Sequence, residues 1–282
     1  WGTDEQKAYF LPQILTGKVR TWQLLSEPES GSDLASVTST ALRDGDDYVI
    51  NGTKTFISNG QNCGLVIVVA KTDPDASPPH KGVSLILVEG DAPGFERGRN
   101  LSKLGLKGQD TSELFFNDCR VPAENLLGQE GQGFKMLMEK LQQERLCIGV
   151  GSMASCRRSL DDTLDYVKER TAFGKPIGQF QNTQFKLAEL ASQVEIGQAF
   201  VDKLLVAHVR GEEIVSEVSM AKWWTTDLQR KLSAECLQLF GGYGFMDEYP
   251  ISQDYADAAV QTIYAGTNEI MKVIIARKLG LG

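Results

Sequence analysis

The chain has 282 residues, 41% hydrophobic and 23% charged, with a formal net charge of −8. This is ordinary globular composition with room for roughly two domains. No dense Lys/Arg run occurs, which argues against nucleic acid as a main partner because phosphate neutralisation supplies most of such binding. No apolar run approaches the ~18 residues that suggest a membrane span, and the first residues lack the basic head and apolar middle of a signal peptide.

Thr3 is placed to cap a first helix with Asp4 and Glu5 in its opening turn. Because the chain starts at Trp1 and not at a methionine, it is expected to be a trimmed piece of a longer polypeptide. Short β-type runs follow at Trp22–Ser26, Tyr48–Ile50, Leu65–Lys71, Val83–Glu89 and Glu113–Phe116, separated by turns such as Asn51-Gly52 and Asn59-Gly60. Strands without long intervening helices predict a compact antiparallel β domain. Near residue 127 the pattern becomes helical. Helices are expected over about 133–169, 181–210, 213–240 and 267–279, with a shorter piece near 251–260, which implies a helical bundle.

Five cysteines, Cys63, Cys119, Cys147, Cys156 and Cys236, are widely spaced with no C-x-x-C. That suits free thiols in a reducing compartment, not a disulfide scaffold or a zinc site. His80 and His208 are the only histidines, which argues against a Ser-His-Asp triad or a His-based metal centre. Catalysis is left to carboxylates and bound cofactors.

Within the 133–169 helix, Leu137, Leu141, Glu144 and Ile148 project along one stripe. Three are core residues and the fourth is a carboxylate, costly to bury unless it is paired or performs proton chemistry. The stripe alone leaves both readings open. The polar turn Ser26–Asp33, the paired glycines of Gly241-Gly-Tyr-Gly244 and the helix start at Thr267 could each meet a ligand or could be plain turns and caps. No strand-to-helix G-x-G-x-x-G supports a Rossmann dinucleotide site.

Taken in order, Ser26-Glu-Pro-x-x-Gly-Ser-Asp33, Asn51-Gly-x-Lys-x-Phe-Ile-Ser-Asn-Gly60, Glu169-Arg-x-Ala-Phe-Gly-Lys-x-Ile177, Gln238-x-Phe-Gly-Gly-x-Gly244 and Ile263-Tyr-x-Gly-Thr-Asn-Glu269 resemble the acyl-CoA dehydrogenase family. The resemblance covers essentially the whole chain. It implies an α+β fold: residues 1–20 as a remnant of an N-terminal helical domain, 21–127 as a middle antiparallel β-barrel or sandwich domain, and 128–282 as a C-terminal four-helix bundle. The cofactor it implies is FAD. Gln23, Leu25, Ser26, Gly31 and Ser32 correspond to the flavin-contacting strand and turn, with Ser32 also near substrate. Phe56 and Ser58 stand where the family sets an aromatic ring and a hydroxyl against the isoalloxazine. Arg170, Phe173 and Gln181 match positions that hold the diphosphate and adenosine, usually across a subunit boundary, and Gln238, Gly241 and Gly242 match the other half of that contact. Thr267 and Glu269 match further FAD contacts.

Many family members carry a glutamate base directly before the Gly-Thr of the last motif, where this chain has Ala265. The isovaleryl and long-chain branches instead carry it in a Glu-Arg pair on the first bundle helix, matched by Glu144-Arg145. The resemblance thus implies Glu144 as catalytic base, with Arg145, Ala265 and Gly266 beside the substrate. It also implies α,β-dehydrogenation of acyl-CoA thioesters, with backbone N–H groups near residue 144 or 265 and a flavin hydroxyl holding the thioester oxygen. Electron-transfer flavoprotein is the expected acceptor and a homo-oligomer, a dimer of dimers, the expected assembly. No metal and no nucleic acid are expected. The expected location is the bacterial cytoplasm or the mitochondrial matrix. The alternatives are an acyl-CoA oxidase or a non-catalytic relative.

Overall fold

The computed structural model describes residues 1–281. The chain forms two compact units, one of Trp1–Lys103 with Lys107–Glu139, the other of Leu104–Leu106 with the residues from Lys140 onward.

The first unit opens with α1 (Asp4–Leu15), started by a complete capping box in which Thr3 and Gln6 satisfy each other's backbone N–H groups. Its seven-stranded sheet comprises β1 (Thr21–Leu24), β2 (Thr40–Asp44), β3 (Asp47–Ser58), β4 (Leu65–Lys71), β5 (Val83–Glu89), β6 (Phe95–Asn100) and β7 (Thr111–Pro122). The strand order is β1-β4-β2-β3-β7-β6, with β5 paired to β4. Most pairings are antiparallel, as expected, but β1 and β2 each run parallel to β4, pairings that the long connections between them make possible. β4 and β5 read as continuous apolar runs and are buried nearly throughout. Strand β2 and edge strand β6 escape a hydrophobicity reading because each buries a single side chain, and charged residues on an edge discourage unwanted pairing. The core joins Leu24, Ile50, Val68, Ile86, Leu114 and Phe116; a second cluster sets Val69, Val83 and Leu85 against Met136 and Leu137.

Helix α2 (Gly133–Glu169) supplies Met136 and Leu137 to that cluster and then continues into the second unit. There follow a hairpin of β8 (Thr171–Ala172) and β9 (Lys175–Pro176), then α3 (Gln181–Val209), α4 (Val215–Phe240), α5 (Pro250–Gln261) and α6 (Asn268–Lys278). Helix α3 buries Thr183, Leu187, Leu190, Val194, Gly197, Val201 and Leu204, a strict alternation of four- and three-residue steps that makes one inward seam. Met153, Cys156 and Leu160 of α2 meet it, together with Val218, Leu228 and Leu232 of α4. All five cysteines are free thiols, Cys147 alone being exposed. Among the described residues no helix is long and apolar enough to cross a membrane, and no His, Cys, Asp or Glu cluster could hold a metal ion.

Candidate functional site

In the β unit, Gln23 lies on β1, and the chain leaves β1 through Leu25 into a tight turn closed by paired hydrogen bonds between Glu27 and Ser30. Gly31 and Ser32 are exposed at its far side. Glu27, beneath the turn, forms an ion pair with Lys54 at 2.7 Å, both side chains almost wholly enclosed. Its carboxylate also accepts from the backbone of Thr38 and Ser39 and from the Thr38 hydroxyl, while Lys54 Nζ donates to the Val69 carbonyl at 2.7 Å. Burial alone would raise the Glu27 pKa, but Lys54 and these donors overcome it and hold the carboxyl down to about 2.

The same strand carries Phe56. Ser26 Oγ donates to the Thr55 carbonyl, and Thr55 N–H donates back to the Ser26 carbonyl. Between Lys54 and Ile57 the pairing of β3 with β7 slips. In this bulge Phe56 takes φ +58° and leaves its ring 69% exposed. A left-handed, solvent-facing phenylalanine is costly, and bulges of this kind re-aim side chains at functional sites. Half-buried Ser58 follows and accepts from Gln109.

In the helical unit, Glu144 is half-buried and not enclosed as the stripe suggested, because the stripe changes character along α2. Leu137 and Leu141 are buried, whereas Glu144 and Ile148 are half-open. Arg145 turns inward, 6% exposed, and its Nε donates to the Ala265 carbonyl at 3.1 Å. Burial lowers the pKa of its guanidinium, and the neighbouring Glu144 charge opposes that. Ala265 and Gly266 both adopt positive φ, +51° and +91°. At Gly266 an added Cβ would meet the flexible ends of Met271 at 2.8 Å and Arg145 at 3.2 Å, so it is the conformation that needs glycine here. The N–H groups of Ala265 and Gly266 find no acceptor among the described residues.

The loop is held from below by Lys222 on α4. Its fully buried Nζ donates to the Gly266 carbonyl at 2.8 Å and to Asn268 Oδ1 at 3.1 Å. Burial, then the Arg145 charge, push it down to about 8 against the pull of Asp227 and Glu269. Thr267 caps α6 by accepting from Ile270 N–H, and exposed Glu269 sits in the first turn, its carboxyl lowered by its own backbone N–H and by Thr267.

A third group lies where α2 ends and α4 stops. Exposed Arg170 has its guanidinium 5.6 Å from the centre of the Tyr243 ring, next to Gly241 and Gly242, where an added side chain would meet nothing within 4 Å. Phe173, at the hairpin tip, has φ +53° and is 95% exposed. Gln181 and Gln238 are also exposed. Arg170 and Gly241–Gly242 are thus neighbours, and Glu144–Arg145 and Ala265–Gly266 form a second group.

Of the six left-handed non-glycine residues among those described, Phe56, Phe173 and Ala265 fall at candidate site positions, while Asn59, Leu106 and Asp118 do not. Sequence reasoning gave no role to Glu27, Lys54, Lys222 or Asn268. The signal was there for the lysines, each standing in an otherwise apolar or hydroxyl-rich inward face of its element, as Glu144 did on α2.

Residues 23–119 match the model of the acyl-CoA dehydrogenase middle domain and residues 131–280 that of the acyl-CoA dehydrogenase C-terminal domain. The chain is 48% identical over 279 residues to the mitochondrial long-chain specific acyl-CoA dehydrogenase of Mus musculus, covering 99% of this chain but 65% of that protein. Its structure resembles that of acyl-CoA dehydrogenase from Geobacillus kaustophilus with a TM-score of 0.98 at 54% identity, covering 99% of this chain and 73% of that one. PigA, solved with FAD and proline, matches with a TM-score of 0.95 at 31% identity over 100% of this chain and 73% of its own. With both domain models matched in order over the residues that build the sheet and the bundle, the chain belongs to the acyl-CoA dehydrogenase family.

Proposed function

We propose that the chain carries the catalytic centre of an FAD-dependent acyl-CoA dehydrogenase that converts an acyl-CoA thioester to its trans-2-enoyl product, with Glu144 as base. The observation that carries the reading is the bond from Arg145 Nε to the Ala265 carbonyl. It ties the helix position of the carboxylate to the loop position where many family members bear theirs. Half-buried Glu144 is open to a substrate and can accept the α-proton at a carboxylate oxygen. The free N–H groups of Ala265 and Gly266 can donate to the thioester oxygen as negative charge develops there. Lys222 and Arg145 hold that loop by its carbonyls, so its N–H groups need no reorganisation during the reaction.

The residues present fit FAD. An aromatic ring held outward by a bulge at Phe56 offers a flat apolar contact. The exposed Arg170 suits a diphosphate, and open space at Gly241 and Gly242 admits a close backbone approach. Gln23, Leu25, Ser26, Gly31, Ser32, Ser58, Thr267 and Glu269 complete the proposed contacts, with Arg170, Phe173, Gln181 and Gln238 reaching a neighbouring subunit's cofactor in a dimer of dimers. Bound FAD supplies the acceptor for the β-hydrogen with its electron pair. Electron-transfer flavoprotein is the proposed onward acceptor. Domains of residues 1–20, 21–127 and 128–282 and a reducing compartment complete the reading.

The test is anaerobic mixing of the FAD-loaded protein with acyl-CoA. Bleaching of the flavin absorbance together with formation of the enoyl product is expected, and an unbleached flavin with every thioester would defeat the proposal. Peroxide formation in air at the rate of substrate loss would favour the oxidase.

A further inference from the structure

A cavity of about 330 Å³ opens in the helical unit along the same face of α2 that carries Glu144. Ile148, Gly151 and Ser155 line it, and they follow Glu144 at spacings of four, seven and eleven residues, which place all four on one stripe. At Gly151 an added side chain would meet nothing within 4 Å, so this wall is open. A thioester with its α-carbon at Glu144 has this groove available for its chain.

The floor of the groove is polar. Gln229, 4% exposed, donates its Nε2 to Ser155 Oγ at 3.1 Å, while its Oε1 has no donor among the described residues. A buried acceptor without a donor is costly unless the cavity brings one. Beside it Asp257 uses only Oδ1, bonded to Leu106 N–H and to Gln253, leaving its other oxygen free among the described residues. Tyr264 borders the same space but directs its hydroxyl to Gln261. The one buried side-chain polar atom lining the groove without a partner among the described residues is an acceptor, Gln229 Oε1, whereas a groove for a plain hydrocarbon tail should present apolar surface.

We propose that the substrate is an acyl-CoA carrying a hydroxyl towards the far end of its chain, which donates to Gln229 Oε1. This rests on the reading of Glu144 as the base of an acyl-CoA dehydrogenase. The hydroxyl satisfies the stranded acceptor, while the methylenes before it lie along Ile148 and Gly151.

The test compares kcat/KM on the FAD-loaded protein for a chain-length series of saturated straight-chain acyl-CoAs and their ω-hydroxy counterparts. At one or more lengths the hydroxylated substrate should be favoured by about tenfold, the order expected of one added hydrogen bond. Parity, or preference for the plain chain, at every length would overturn the inference and mean that only water meets Gln229. In Gln229→Leu the ratio at the favoured length should fall towards one, and an unchanged ratio would remove Gln229 as the acceptor. The wild-type ratio decides the matter even if that variant fails to fold. Absence of turnover with every thioester would instead sink the dehydrogenase reading, and this inference with it.

Discussion

Arg145 Nε meets the Ala265 carbonyl at 3.1 Å, so the side chain next to the proposed base grips the loop position that carries the base in other branches of the family. The same arginine lies within 3.2 Å of where a Cβ on Gly266 would stand. On the proposed reading, helix and loop address one reacting centre, and a carboxylate introduced on either should serve it.

Glu144→Gln should retain fold and FAD yet lose about 10²–10⁴-fold in turnover, the usual contribution of a positioned base. Adding Ala265→Glu should restore part of it, limited by the strain of a larger side chain at φ +51°. Dye-coupled assays of both variants, with flavin absorbance as the control for cofactor content, check this. Near-normal turnover in the single variant would return Glu144 to a structural ion pair.

Lys54→Met should lower the unfolding free energy by about 3–5 kcal/mol, because it leaves an enclosed carboxylate without its cation. Acid should act through the same pair. Because the folded-state pKa of Glu27 is depressed to about 2, its contribution is present above the unfolded value near ~4.3 and fades as pH falls through the folded one. Urea titrations across that window should show wild type losing more stability than Glu27→Gln; parallel curves would argue against it.

Lys222 gives the opposite sign. Its folded-state pKa, about 8, lies below the unfolded value near ~10.4. Between the two the unfolded chain binds more protons, so stability should rise with pH across that interval. Wild type should gain relative to Lys222→Met from pH ~8 to ~10.4, and an unchanging difference between them would show that the ammonium carries no such penalty.

Arg170→Ala should weaken FAD binding by about 10- to 100-fold, the order of a lost charge-assisted hydrogen bond, while leaving Tm of the cofactor-free protein nearly unchanged, since this guanidinium is exposed, lying over Tyr243 and near Tyr166. Fluorescence titration with FAD reads the affinity and calorimetry the Tm. Equal affinity would detach Arg170 from the diphosphate.

The helices were legible because long amphipathic segments announce both their period and their caps: α2 begins at Gly133 and α6 just after Thr267, as the sequence indicated. Strands β4 and β5 were equally plain as apolar runs. Strands β2 and β6 were not, since each is held by its neighbours and not by its own burial. Within the site, Glu144 stood out as a misplaced carboxylate, and the matched motifs marked Phe56, Phe173 and Ala265. What no local pattern conveys is the distant partner: that Lys54 answers Glu27, or that Lys222 reaches across to Gly266, depends on which segments the fold brings together.

Lys54 also has a meaning beyond charge. Along one edge of β4, strand β1 ends opposite Val68 and β2 begins opposite Lys71, which leaves a break in the ladder at Val69. The ammonium fills it by taking the Val69 carbonyl, much as the amide of a missing strand residue would. Opposite it, the Glu27 carboxylate takes the N–H groups of Thr38 and Ser39. The pair is a splice in the sheet made of side chains. Swapping both residues for methionine, a change that often leaves proteins as stable as before when only charges are removed, should therefore be harmful here, because it would strand backbone groups that no hydrocarbon can serve.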